Sequence, residues 1–234
     1  STGTLSITSL KISGNNALTL TGPLTVGGAT GGGILVDSAT TGASITGASG
    51  LTTNSAGDLV IRVNGASDVL TLSSPVAATT TGGITKNGAG RLVLNAVNLQ
   101  TGPITVNEGT LQLLGSTSTL GGSGYTLVLR QGATLDLNGV NVNASTQSAG
   151  AVTSAGLITN TAASGTADFR ISSTAGSLIS GLITDGANAK ISLTKANSGN
   201  IRLTGLNTFS GPVSLSSTGT IIVNNLADIG QPSS

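Results

Sequence analysis

One phrase of this chain occurs twice, and that recurrence constrains the fold more than any other feature. Ile84-Thr85-Lys86 returns as Leu193-Thr194-Lys195. The same offset holds through Gly90 and Gly199, Leu92 and Ile201, Leu94 and Leu203, and Asn98 and Asn207. It continues through Gly102-Pro103-Ile104 and Gly211-Pro212-Val213. One residue is then inserted, so that Gly109-Thr110-Leu111 matches Gly219-Thr220-Ile221. The register returns at Leu120-Gly121 and Ile229-Gly230, which gives copies at 84–121 and 193–230. A weaker echo sets Thr21-Gly22-Pro23-Leu24-Thr25-Val26 beside Thr101-Gly102-Pro103-Ile104-Thr105-Val106. A shorter period returns Gly156-Leu157-Ile158-Thr159 as Gly181-Leu182-Ile183-Thr184. A unit of roughly 20–25 residues cannot bury its apolar face alone, so such units stack.

Within the units, apolar residues alternate with polar ones. Leu59, Ile61 and Val63 do so, as do Leu92 and Leu94, Ile104 and Val106, Leu127 and Leu129, and Ile201 and Leu203. Period two marks strands with one buried face. The runs are short and bounded by Gly, Asn, Ser or Pro. About three short strands per unit describe one coil of an all-β, single-stranded parallel β-helix, a β-solenoid. At about 4.8 Å per coil the chain is expected to make roughly ten coils and a rod of roughly 50 Å, a single solenoid over 1–234. Gly and Asn are expected at its corners because they tolerate positive φ. The Gly-Pro pairs are expected there too, since Pro cannot donate to a central ladder. Asn98, Asn107, Asn207 and Asn224 are expected to stack in ladders.

Composition agrees with a narrow aliphatic core. Charged residues are 7% of the chain, against roughly 25% in ordinary domains. Disorder is disfavoured because hydrophobic residues reach 37% and the net charge is only +1, the reverse of the disordered signature. Thirty-six glycines disfavour helix, each being about 1 kcal/mol worse than Ala there. Cys and His are absent, which excludes a disulfide framework and a Cys/His zinc site. No basic footprint for nucleic acid exists. The uncharged stretch 12–36 carries Gly22, Pro23, Gly27, Gly28 and Gly31 to Gly33, too many breakers for a membrane span.

Chemistry is hard to place on this chain. Its acids are Asp37, Asp58, Asp68, Glu108, Asp136, Asp168, Asp185 and Asp228, with no two within five residues. Polysaccharide-cutting β-helices need paired carboxylates. Asp58 with Arg62, and Asp168 with Arg170, are the nearest acid–base neighbours and read as solvated salt bridges. Without His the usual general base is missing. The run Gly27-Gly28-Ala29-Thr30-Gly31-Gly32-Gly33 lacks the Lys-Ser/Thr and helix of a phosphate loop and reads as a turning corner. Asn143-Ala144-Ser145 is the one evident glycosylation sequon. Sugar platforms would have to come from Tyr125, Phe169 or Phe209, the only aromatics. No catalytic, cofactor-binding or metal residue is assigned, and no cofactor is expected.

The two long copies resemble the passenger-associated transport repeat, also called the autotransporter-associated β-strand repeat, whose usual form reads like LTKxGxGTLxLxGxNTYxGxTxVxxGTLxL. The first copy reads GITKNGAGRLVLNAVNLQTGPITVNEGTLQL and the second SLTKANSGNIRLTGLNTFSGPVSLSSTGTIIV. Gly132 to Gly139 resembles what commonly follows such a repeat. The second copy departs at Asn197 and Ser198, where the family favours Gly and a small residue, so its first turn is expected to differ. Phe209 falls at the family's aromatic position. The resemblance implies a parallel β-helix exported through a bacterial outer membrane and displayed or released, the repeat aiding passage and folding rather than forming an active site. The expected function is therefore a non-enzymatic display, adhesion or matrix segment at the cell surface. Two alternatives stand beside it: end-to-end stacking of copies, and a glycan-binding or glycan-cleaving module. The expected partners follow: another copy or a flanking solenoid, and surface glycans or a host surface.

Overall fold

The computed structural model describes residues 3–27, 31–37, 39–53, 57–122, 124–142, 150–224 and 226–229. Every strand pair is parallel, and each strand's neighbours are its counterparts one coil away. The longest sheet holds ten strands: Ser9–Ile12, Gly31–Val36, Asp58–Val63, Ile84–Asn87, Ile104–Val106, Leu127–Leu129, Val152–Ser154, Ser177–Ile179, Ile201–Leu203 and Ile221–Val223. An eight-stranded sheet runs from Ala17–Thr19 to Leu182–Ile183. The third face carries Leu5–Ile7, Leu24–Val26 and Leu51–Thr52 at one end, and Thr166–Ser172, Lys190–Ala196 and Val213–Leu215 at the other. The chain is a parallel β-solenoid of eight to ten turns, against the roughly ten expected. Among the described residues the one helical element is the 3-10 turn Leu226–Ile229.

Alternation builds the core. In Asp58–Val63, Leu59, Ile61 and Val63 are fully buried while Val60 and Arg62 point outward. Leu59 stacks beneath Ile84, which stacks beneath Ile104 and then Leu127. Each such aliphatic side chain contributes about 1.5–3 kcal/mol by leaving water. Pro23 and Pro103 stand immediately before the strands Leu24–Val26 and Ile104–Val106, and Pro212 before Val213–Leu215. The carbonyls of Pro23, Pro103 and Pro212 accept from the N–H of Leu5, Ile84 and Leu193, strand residues of the coil below.

Two expectations change, and a third finding stands beside them. Gly31 to Gly33 open the strand Gly31–Val36 instead of turning a corner. A Cβ on Gly32 would collide with the Val26 carbonyl, so close backbone approach requires glycine there. The first turn of the second copy also follows the first. Asn197 takes φ 63°, the left-handed value that Gly88 takes at 80°, and Asn is the residue besides Gly that tolerates it. Finally, the two long copies lie on different faces. Ile84–Asn87 belongs to the ten-stranded sheet and Arg91–Leu94 to the eight-stranded one. The matching Lys190–Ala196 lies on the third face, and Ile201–Leu203 in the ten-stranded sheet. Coil length explains this. Ile84 pairs with Ile104, but Gly31 pairs with Asp58, so corner insertions prevent a fixed sequence offset from being a whole number of turns.

Candidate functional site

Asp136, Asp68 and Asp185 hold coils together. Asp136 Oδ1 accepts from the N–H groups of Asn138 (3.0 Å) and Thr161 (2.9 Å). Its Oδ2 accepts from Gln112 Nε2 (2.6 Å) and the Thr161 hydroxyl (2.5 Å). Asp68, buried, accepts from the N–H of Thr40 and of Gly65. Asp185 accepts from the N–H groups of Ile191 and Ser210 and from the Ser210 hydroxyl. Carboxylates bonded in this way satisfy backbone donors between successive coils.

The expected salt bridges at Asp58/Arg62 and Asp168/Arg170 are replaced by neutral partners. Arg62 Nε donates to Asn64 Oδ1 (3.2 Å). Asp168 Oδ1 accepts from the hydroxyls of Ser192 and Thr194 (2.8 Å each), one coil on. The ladder residue is closer in space than the strand neighbour two positions along, because rungs are only about 4.8 Å apart. An ion pair joins Lys11 and Asp37 at 2.8 Å.

All three aromatic rings are buried, so none is a surface platform for sugar. Burial pushes the Tyr125 hydroxyl far above its ordinary pKa. Phe209 and its counterpart Gln100 occupy equivalent interior sites. Gln100 Nε2 donates to the Leu120 carbonyl (2.6 Å), while its Oε1 has no partner. The sequon at 143–145 lies outside the described residues, as do 28–30 of the glycine run.

Two further devices recur in both long copies. Asn98 Oδ1 accepts from Val76 N–H (2.9 Å) in the coil below, and its Nδ2 donates to the Thr119 carbonyl (2.6 Å) above. Asn207 does the same with Ile183 N–H (2.8 Å) and the Asp228 carbonyl. Asn107 Nδ2 donates to Asn87 Oδ1 (2.8 Å), a direct asparagine ladder. The second device is a lysine inside the solenoid. Lys86 Nζ donates to the carbonyls of Asn87 (3.0 Å), Gly88 (2.6 Å) and Glu108 (3.1 Å). Lys195 Nζ donates to those of Ala196 and Asn197. Burial lowers the Lys86 pKa to about 8, against the upward pull of Glu108, and lowers that of Lys195 as well. Sequence reasoning missed these lysines, although Lys86 stands two residues from Ile84 and so on the core face.

Outward residues form ladders of uncharged side chains. Thr52 bonds Thr79, and Thr208 bonds Thr184. An apolar row follows one edge of the eight-stranded sheet. Leu157 pairs with Leu182 above it, Leu182 and Leu206 are exposed, and a shallow groove is lined by Gly132, Ala155, Gly156, Leu157 and Leu182. Among the described residues no group of three His, Cys, Asp or Glu side chains gathers for a metal, and no helix is long and apolar enough to cross a membrane. The molecule thus offers extended ladders and shallow grooves.

Residues 84–113 and 193–223 each match the family model of the passenger-associated-transport-repeat. The chain is similar to a protein named adhesin BmaC autotransporter from Brucella suis biovar 1 (strain 1330), 34% identical over 177 residues. That match covers 74% of this chain and 5% of the relative's length. No solved structure matches the chain. The chain is a parallel β-solenoid that carries two passenger-associated transport repeats.

Proposed function

We propose that this chain is a surface-displayed segment of a bacterial autotransporter passenger, acting in display or adhesion without catalysis. The observation that carries the reading is the pair of transport repeats set in a continuous β-solenoid. The adhesin name of the similar Brucella protein supports it. So does the use of Asp68, Asp136 and Asp185 to hold backbone instead of facing a cleft. Ladders of hydroxyls and aliphatics suit broad, shallow contacts. The test uses intact cells producing the full-length protein, with and without residues 3–229. Antibody labelling and protease sensitivity at the cell surface, with adherence reduced on deletion, are the expected results. A segment found only inside cells overturns the location, and unchanged adherence overturns the adhesive role.

A second reading, stacking of solenoids end to end, draws on the first and last described coils. Val213 and Leu215 pair with the inward-facing Leu193 and Lys195, yet Leu215 is 58% exposed. At the other end Leu5 is 60% exposed, beside an apolar hollow that Ile7, Leu10 and Leu18 also line. Such surfaces accept a further coil of the same kind, from the same chain or another copy. Electron microscopy of the purified chain at high concentration is expected to reveal rods longer than one chain if copies stack, and monodisperse particles remove this reading.

A further inference from the structure

We propose that Lys86 is a coil-to-coil staple, that Lys195 is its counterpart closing the same turn beneath the next coil, and that a transport repeat is the stretch of chain containing both the lysine turn and the glycine roof laid over it. The lower half is the lysine and the turn after it. Lys86 leaves the inward row of the ten-stranded sheet, where it stands between Ile61 and Val106. It bends to the carbonyls of Asn87 and Gly88. The upper half belongs to the next coil, where Glu108 supplies the third carbonyl. Gly109, at φ 66°, lies over that turn so closely that a Cβ would run into the carbonyls of Gly88, Ala89 and Gly90.

The second copy repeats the lysine turn and its glycine roof on another face, with both lysine bonds kept within the turn. Lys195 holds the carbonyls of Ala196 and Asn197, and a Cβ on Gly219 would lie 2.7 Å from its ammonium. The device therefore travels with the sequence and not with the sheet. An ammonium with three donors suits a turn whose carbonyls all point inward, since unpaired buried carbonyls are costly.

The boundaries of the family match agree. Residues 84–113 begin at the lysine strand Ile84–Asn87 and end with Gly109–Leu113, the strand of the roof. Residues 193–223 run from the lysine strand to Ile221–Val223, just after Gly219. The matched length thus exceeds one coil by the overlap the staple needs: Ile84 pairs with Ile104, and Leu193 with Val213. In the echo near the chain start, Ile7 pairs with Val26 as Lys86 pairs with Val106. That coil has the strand pairing without an ammonium, and no family match falls on it.

The inference holds whatever the surface binds, and its test is made on the purified chain alone. Pulses of an amine-acylating reagent label exposed lysines, with Lys11 and Lys190 as exposed controls. In the native chain Lys86 and Lys195 are expected to resist labelling. Gly109→Ala keeps the lysine but lifts its roof, and is expected to raise Lys86 labelling at least about tenfold, the scale of a lost buried hydrogen bond, with Lys195 unchanged. Lys86→Met keeps the stem without donors and is expected to speed amide exchange at Gly88 to Gly90 and Asn107 to Thr110 by a similar factor. Unchanged Lys86 labelling in Gly109→Ala, or unchanged exchange in Lys86→Met, overturns the staple. Should either variant fail to fold, Lys195→Met is read at Asn197 to Gly199, where faster exchange supports the lysine turn and unchanged exchange overturns it.

Discussion

The first transport repeat places its lysine strand in the ten-stranded sheet, and the second places its own on the third face. Around the axis the two are turned by one side of the solenoid, yet several of their interior contacts coincide. Asn98 and Asn207 both bridge an N–H below to a carbonyl above. Lys86 and Lys195 both close the turn that follows them. Gly88 and Asn197 both adopt the left-handed backbone that this turn needs. A solenoid corner is therefore specified locally, and each corner asks only for a similar rung above and below. The copies differ at one interior point and one exposed one. Gln100 stands where Phe209 stands, and Glu108 lies near Lys86 while serine or threonine lies near Lys195.

If the corners are interchangeable, equivalent substitutions must cost the same. Asn98→Ala removes the bonds to Val76 N–H and the Thr119 carbonyl inside the solenoid, and Asn207→Ala removes those to Ile183 N–H and the Asp228 carbonyl. At roughly 1–3 kcal/mol for each lost buried bond, each variant is expected to lose about 2–6 kcal/mol. Urea unfolding followed by circular dichroism measures it. A difference between the two of more than about 1 kcal/mol, beyond ordinary non-additivity, breaks the equivalence.

The interior swap sharpens it. Phe209→Gln empties a fully packed ring site and is expected to cost about 3 kcal/mol. Gln100→Phe removes the orphaned Oε1 but also the bond to the Leu120 carbonyl. Its expected gain is about 1 kcal/mol, set by the buried orphan it eliminates. Thermal melting of both variants decides it, and a destabilised Gln100→Phe means that the first copy's site is shaped for the amide.

Much of this architecture was legible because repetition and period two are direct records of stacking and burial. The paired inward rows beginning at Leu59, Ile84 and Ile104 could be drawn from the sequence. The rotation between copies could not, because corner lengths vary and only register fixes which face a strand joins. Asp168 and Arg170 looked like partners because they are neighbours along a strand, but the bonding partners of Asp168 come from Ser192 and Thr194 on the next rung. Lys86 was hidden by its charge: alternation placed it inside, and the rule that lysines face water argued the other way. The carbonyls that reverse that rule come partly from a residue a full coil later, Glu108.

The smallest expected effect separates the copies by their titration. Loss of hydration lowers Lys86 to about 8, with Glu108 opposing the drop and Arg62 adding to it. A lysine in the unfolded chain titrates near 10.5. Between those values the unfolded chain holds more protons than the folded one, so stability rises with pH through that window and is flat below it. Lys86→Met is expected to abolish the part of the rise that Lys86 contributes while lowering stability throughout, since three carbonyls lose their donor. Glu108→Gln removes the upward pull and is expected to start the rise at lower pH. Lys195, lowered by burial, is expected to be indifferent to that change. Urea midpoints between pH 7 and 9.5 measure this below the range where Tyr125 intrudes. Its folded pKa is raised, so it opposes the trend once the unfolded tyrosine ionises near its ordinary value of 10.0. A wild-type profile flat over the whole range would mean that the carbonyl cage compensates the lost hydration completely, and would make the two lysine corners equivalent in charge as well as in shape.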